Sequence, residues 1–247
     1  MSRKIVRKAL IVILVFLILV GLSMILIPMF QARCQEQQME QVVESWENDY
    51  GSPENTTVDK HIETSTLPTC LVFPELREAM ESYNINLHQT GQADLVDAWS
   101  YQETVFDLSS YGIHGEAVGV ITIPAIDVKL PLYLGASYEN MSKGFAQLSQ
   151  TSMPIGGIGT NCVVACHRGY QGAAYLRDAD KISAGDLVYL TNFWETLSYE
   201  VISIKVISPD DMEEILIQPG KDLLTLVTCT PYRVGSHRLL IICERVQ

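Results

Sequence analysis

Thr225-Leu226-Val227-Thr228-Cys229-Thr230-Pro231-Tyr232, followed after a short loop by His237-Arg238 and the apolar run Leu239 to Cys243, is the stretch on which the fold of this chain turns. An apolar, β-rich segment from Leu223 to Val227 delivers a cysteine to its C-terminal end. Pro231 and Gly235 then break the pattern before a second β-rich segment begins. The two segments form a hairpin with a cysteine at its mouth. Such a cysteine is a nucleophile when a base or a cation lowers its pKa from about 8.5, and otherwise a small packing residue. His237 and Arg238 are its nearest candidate partners in sequence. Side chains alternate along a strand, so only one of the two faces Cys229, and a slip of one residue exchanges them.

Working outward, Asn161-Cys162-Val163-Val164-Ala165-Cys166-His167-Arg168-Gly169 is built the same way, an apolar strand ending in a histidine. Two such strand ends at one mouth of a barrel bring His167 to Cys229. An imidazole with a pKa near 6.5 can there give a proton to a leaving amine and take one from an incoming nucleophile. Cys166 is adjacent to His167 in the strand and points to the opposite face, which makes it a packing residue. Candidate strands are 118–123, 128–133, 161–167, 186–191, 198–207, 223–229 and 237–246, with turn signals at Pro124, Pro131, Gly156-Gly157, Gly185, Pro209 and Pro219-Gly220. Many short strands with little helix make a mainly β fold, a barrel or a sandwich. A short helix is expected over Ala173 to Lys181.

The N-terminal part has a different texture. Ala9 to Phe30 is a run of 22 residues without a charge, long enough at about 1.5 Å per residue to cross a hydrocarbon core of about 30 Å. Arg3, Lys4, Arg7 and Lys8 precede it, and by the positive-inside rule they keep the N-terminus in the cytoplasm and the remainder outside. The run exceeds the apolar core of a signal peptide, and Met29-Phe30-Gln31-Ala32-Arg33 is a poor cleavage site. Met39, Val42, Val43 and Trp46 recur at helical spacing within Cys34 to Tyr50, and Gly51 to Thr69 is a polar linker. A further helix runs from Pro74 to about His88, before Gly91. Asp94 to Tyr111 mixes acidic and aromatic residues.

The domain plan is thus a basic cytoplasmic N-terminus (1–8), a transmembrane signal anchor (9–30), an extracellular stalk (31–72), a helix with a lid-like segment (73–112) and a β domain (113–247). Beyond the apolar run there are 13 Lys+Arg, the chain's 17 less the four ahead of the run, against 29 Asp+Glu. That excess of negative charge argues against nucleic acid as a partner. The six cysteines, at 34, 70, 162, 166, 229 and 243, lack the spacing of a disulfide scaffold and are expected to be mostly free thiols. Cys162 and Cys166 lie about 13 Å apart in an extended strand, too far to bridge or to share a zinc ion. No carboxylate cluster marks a metal site, and no cofactor is expected.

From about Gly119 to Val246 the chain resembles the sortases, cysteine transpeptidases of Gram-positive cell surfaces. The matching residues are Ile123-Pro124, Ile126-Asp127-Val128-Lys129-Leu130-Pro131-Leu132-Tyr133, Gly135-Ala136-Ser137, Met153-Pro154-Ile155-Gly156-Gly157, His167-Arg168-Gly169, Thr225 to Tyr232 and His237-Arg238-Leu239-Leu240. The resemblance implies a closed eight-stranded β-barrel with short helices, preceded by N-terminal helices and a transmembrane helix. It implies Cys229 as nucleophile, His167 as general acid and base, and Arg238 as the cation that binds the sorting peptide and steadies the oxyanion, with Thr228 in support. His237 then faces away. An Leu-Pro-x-Thr-Gly-like signal on a surface or pilin protein would be cleaved through a thioacyl enzyme and passed to an amine, either a pilin lysine or a lipid-linked cell-wall precursor. Thr228-Cys229-Thr230-Pro231-Tyr232 and the acidic, aromatic stretch ahead of the barrel resemble the pilin-polymerising class C enzymes, whose lid carries Asp-Pro-Trp or Asp-Pro-Phe. Asp97-Ala98-Trp99 stands at that position, with alanine in place of the proline. The alternatives are an exported cysteine hydrolase using Cys229 with His237, and a non-catalytic anchored barrel that binds surface proteins.

Overall fold

The computed structural model describes residues 3–51, 72–92, 95, 104, 106–113 and 116–246. Helix α1 (Arg3–Tyr50) is followed by α2 (Pro74–Thr90), β1 (Ala117–Ile123), β2 (Val128–Leu134), α3 (Tyr138–Lys143), β3 (Phe145–Gln147), β4 (Thr160–Ala165), β5 (Leu187–Asn192), β6 (Thr196–Ile207), β7 (Asp222–Thr230) and β8 (His237–Arg245). The strands close into a barrel in the order β1-β2-β3-β4-β7-β8-β6-β5. Closure removes exposed sheet edges, and it replaces the open choice between barrel and sandwich with a barrel of eight strands. The β2–β3 and β4–β7 pairs are parallel and the other neighbours antiparallel.

Alternation sorts the strand residues onto two faces. Cys162 and Val164 of β4, Leu224 and Leu226 of β7, and Leu239, Ile241 and Cys243 of β8 belong to the main core. Val163, Leu223, Val227, Leu240 and Ile242 take the other face and form a second apolar cluster with Ile207 and Ile215 from the β6–β7 region. This double covering explains why β4, β7 and β8 read as near-continuous apolar runs rather than as an alternating pattern.

Three sequence expectations change here. The apolar run and the Cys34–Tyr50 helix are one unbroken α1, with Pro28 inside it. Residues 31–51, expected to be stalk, instead dock on the barrel. Met39, Val43 and Trp46 are buried in the main core, Trp46 and Tyr50 pack on Phe193 with ring centroids 5.7 and 5.0 Å away, and Lys129 Nζ meets Glu47 at 2.7 Å. Burying each such apolar side chain contributes about 1.5–3 kcal/mol, enough for packing rather than linker entropy to decide this segment's state. The helical spacing of those residues was the signal of a docked face. Between Ala173 and Lys181 only Ala179–Lys181 is helical, as a single 3-10 turn.

Helix α2 runs as its sequence dictates, from Pro74 in the first turn to Gly91, whose left-handed backbone lets its N–H return to the Leu87 carbonyl. It buries Leu76, Met80, Asn84 and Leu87, and Asn84 Oδ1 accepts from the Met153 N–H at 2.7 Å. Among the described residues, one helix, α1, is long and apolar enough to cross a membrane, and its most apolar window contributes nothing to the interior.

Candidate functional site

The β7–β8 register pairs Cys229 with Arg238 and Thr230 with His237. Directly opposed residues of an antiparallel pair share a face, so Arg238 faces Cys229, and the choice between His237 and Arg238 that alternation left open goes to the arginine. His237 is exposed, with Nδ1 2.9 Å from the Ser236 hydroxyl. Arg238 Nη1 donates to the carbonyls of Gly235 (3.2 Å) and His237 (3.3 Å), so the turn itself holds the guanidinium. Gly235 has φ 67°, and a Cβ there would lie 3.6 Å from Cys229 Cβ and 3.9 Å from its sulfur. A glycine at this position turns the chain and keeps the cysteine's surroundings open.

His167 enters from the other side of β7. The parallel ladder pairs Ala165 with Val227, and beyond it the Cys166 N–H donates to the Val227 carbonyl at 3.0 Å. Continued two positions past the last pair, this register would set His167 level with Cys229 and on the same face. Cys229 and Arg238 thus share a face, and the β4–β7 register runs His167 toward the same strand end. Cys166 takes the opposite face, buried in the main core, where burial pushes its thiol far above the ordinary range. The thiols of Cys162 and Cys243 are raised by burial in the same way.

Two side-chain bonds bracket the site. Thr228 Oγ1 donates to the Cys166 carbonyl at 2.8 Å, and Arg168 Nη1 donates to Thr230 Oγ1 at 2.8 Å. The residues before and after His167 are thus tied to the residues before and after Cys229. Arg168 is buried and ion-paired to Asp180. Thr228 thus holds the residue before His167, and Arg168, which sequence reasoning did not single out as a site residue, holds the residue after Cys229. Its signal was slight: an arginine just past the end of an apolar strand has to find partners when it is buried.

His167 is half-buried. Desolvation holds its imidazole below the usual histidine range, and its Nε2 is buried without a hydrogen-bond partner among the described residues. The Tyr170 ring lies flat against it, centroids 4.6 Å apart and planes at 10°, and Tyr175 meets it edge-on at 6.3 Å. Neither tyrosine was picked out from the sequence. Asp97 and Trp99, the expected lid residues, lie outside the described residues, and no group of His, Cys, Asp and Glu suited to a metal occurs among those described.

Residues 121–246 match the family model described as Sortase domain. Sortase D of Bacillus subtilis (strain 168) is 28% identical over 135 residues, covering 53% of this chain and 65% of that protein. Sortase A of Streptococcus agalactiae serotype III (strain NEM316) is 31% identical over 131 residues, covering 51% and 52%. The chain thus spans between about half and two thirds of the length of these curated relatives. Among solved structures, Streptococcus agalactiae sortase C1 superposes with a TM-score of 0.65 at 34% identity, covering 71% of this chain and 90% of that one. Sortase C-1 from Actinomyces oris gives 0.63 at 35% identity, covering 71% and 98%. The pilus-related sortase C of Group B Streptococcus gives 0.59 at 33%, covering 71% and 94%. With half of its residues inside the family model and a barrel that overlays those of the sortase C enzymes, this chain belongs to the sortase family.

Proposed function

We propose that the protein is a membrane-anchored cysteine transpeptidase that cleaves an Leu-Pro-x-Thr-Gly-like signal and joins the new carboxyl end to an amine. What supports this reading is the strand register, which pairs Cys229 with Arg238 and brings the end of β4, just before His167, alongside the end of β7. The Cys229 sulfur, as thiolate, attacks the threonine carbonyl, and a C–S bond forms. Arg238 donates to the oxygen as it gains charge, a task suited to a guanidinium because it stays protonated and can offer two N–H groups. The C–N bond to glycine breaks as His167 delivers a proton to the departing amine, leaving a thioester. An acceptor amine, a pilin lysine or a lipid-linked cell-wall precursor, then gives its proton to His167, attacks the thioester and releases the sulfur. Because burial disfavours the imidazolium, the form with His167 protonated is a minority at neutral pH, and turnover draws on that fraction.

Pilin substrates are favoured by the resemblance to sortase C enzymes, one of which is described as pilus-related. Anchoring is supported by the exposed apolar run of α1, and an N-terminus in the cytoplasm with the barrel outside by the four cations that precede it. A hydrolase using His237 is disfavoured, because that residue pairs with Thr230 and so lies on the face opposite to Cys229.

The test incubates the full chain in detergent with an Leu-Pro-x-Thr-Gly peptide and a primary amine, and weighs the protein and the products. A thioacyl adduct on Cys229 and an amine-joined peptide are expected. Turnover that persists in Cys229→Ala refutes the assignment.

A further inference from the structure

We propose that Tyr170 is a positioning residue for His167, part of an aromatic clamp that fixes the imidazole and ties it to α1 and α3. The proposal rests on the transpeptidase reading above. The loop from His167 to Leu176 is folded tightly back on itself. The Leu176 N–H returns to the His167 carbonyl at 3.1 Å, and Tyr170 and Ala173 exchange N–H to carbonyl bonds at 3.2 and 2.9 Å. Gln171, Gly172 and Tyr175 all have positive φ. These turns bring two tyrosines, three and eight residues beyond the histidine, back against its ring.

Tyr170 covers the flat side of the imidazole and Tyr175 its edge, while the two tyrosines meet each other edge-on at 6.2 Å. Each phenol is held in turn. The Tyr170 hydroxyl lies 2.8 Å from that of Tyr138 at the start of α3, and Gln171 Nε2 donates to it at 3.2 Å. The Tyr175 hydroxyl donates to the Ser142 carbonyl of α3 at 2.6 Å and accepts from Gln35 Nε2 of α1 at 3.2 Å. Burial raises the Tyr175 phenol well above its ordinary value, so it stays a neutral donor across the working pH range. The loop tip also touches α1: a Cβ on Gly172 would lie 2.9 Å from that of Ala32.

An imidazole that must give a proton to one amine and take one from another needs one ring orientation through both steps, since misplacement by about 1 Å can cost about 100-fold in rate. No hydrogen bond among the described residues fixes its Nε2, so the stacked ring takes over the aiming.

Three full-length proteins in detergent test this: wild type, Tyr170→Phe, which keeps the stack, and Tyr170→Leu, which removes it. Thioester formation should fall about 10-fold or more in Tyr170→Leu, with KM within about threefold of wild type, and return to within about threefold in Tyr170→Phe. In NMR spectra, the His167 Cε1 proton should move downfield in Tyr170→Leu alone as the ring current is lost. If Tyr170→Leu melts well below wild type, Tyr170→Met, which refills the space without an aromatic face, takes its place with the same expectations. A Tyr170→Leu enzyme that acylates at the wild-type rate with the imidazole signal unmoved overturns the proposal and leaves the transpeptidase reading intact. A wild type that forms no thioester overturns both.

Discussion

Replacing Arg168 with methionine and Thr230 with valine, singly and together, measures how firmly the ends of β4 and β7 are held in line. Arg168 is 6% exposed and Thr230 9%, and Nη1 stands 2.8 Å from Oγ1. A hydrogen bond from a charged donor contributes about 1.5–3 kcal/mol. The ion pair to Asp180 adds little, because that carboxylate is 73% exposed and solvent screens it, leaving about 1 kcal/mol or less. Arg168 Nε is buried without a partner among the described residues, so methionine also relieves a cost, and Arg168→Met alone understates the bond. The cycle cancels that term and should return a coupling of about 1.5 kcal/mol. Urea denaturation of the full chain in mild detergent, followed by tryptophan fluorescence, supplies the stabilities, and mass spectrometry supplies the rate of thioester formation. Because the Thr228 to Cys166 bond persists, the variants should fold and acylate about 10-fold or more slowly through loss of alignment. A coupling under about 0.5 kcal/mol with an unchanged acylation rate would show that this bond does not align the two strand ends.

Cys229→Ala should abolish the thioacyl adduct, whereas Cys166→Ala, on the opposite face, should keep it and lose about 1 kcal/mol of stability, read from the same denaturation curves. The lowered pKa of His167 sets a direction with pH. The unfolded chain takes up a proton near pH 6.5 and the folded chain only at lower pH, so stability falls as pH drops from about 6.5 through the folded value. His167→Gln should flatten that part of a melting-temperature profile, and an unchanged slope would place the titration elsewhere. Trp46→Ala should cost about 3–5 kcal/mol by opening the α1–barrel contact. A fragment starting at Gly51 should bind a hydrophobic dye, while one starting at Cys34 should not.

What could be read from sequence, and what could not, follows from the range of the interactions. Seven strands were visible because β-branched runs alternate with Gly and Pro. The eighth, Phe145–Gln147, is three residues long and exists through its parallel pairing with Leu132–Leu134 and its pairing to β4, neither of which leaves a local mark. The cysteine at the end of β7 and the histidine at the end of β4 stood out as polar or reactive residues closing apolar runs. Their common face follows from register, which is set between strands. The continuity of α1 past Phe30 left no mark, because falling hydropathy shows where the apolar surface changes, not where the backbone leaves the helix. The loop from His167 to Leu176 was opaque for a sharper reason. Gln171 and Tyr175 hold positive φ against their own preference, and the helix expected from Ala173 to Lys181 cannot form across Tyr175.

Helix α1 makes the barrel and the apolar run a single rigid rod and head. From Phe30 to Met39, the first α1 side chain in the barrel core, the rod rises only about 14 Å at 1.5 Å per residue. With the run seated in a bilayer, the barrel would keep a fixed altitude and compass bearing close above the lipid surface. Under the proposed function, a substrate still tethered by its own hydrophobic tail would lie within that reach, while one displayed farther out would need slack of its own to come down to it.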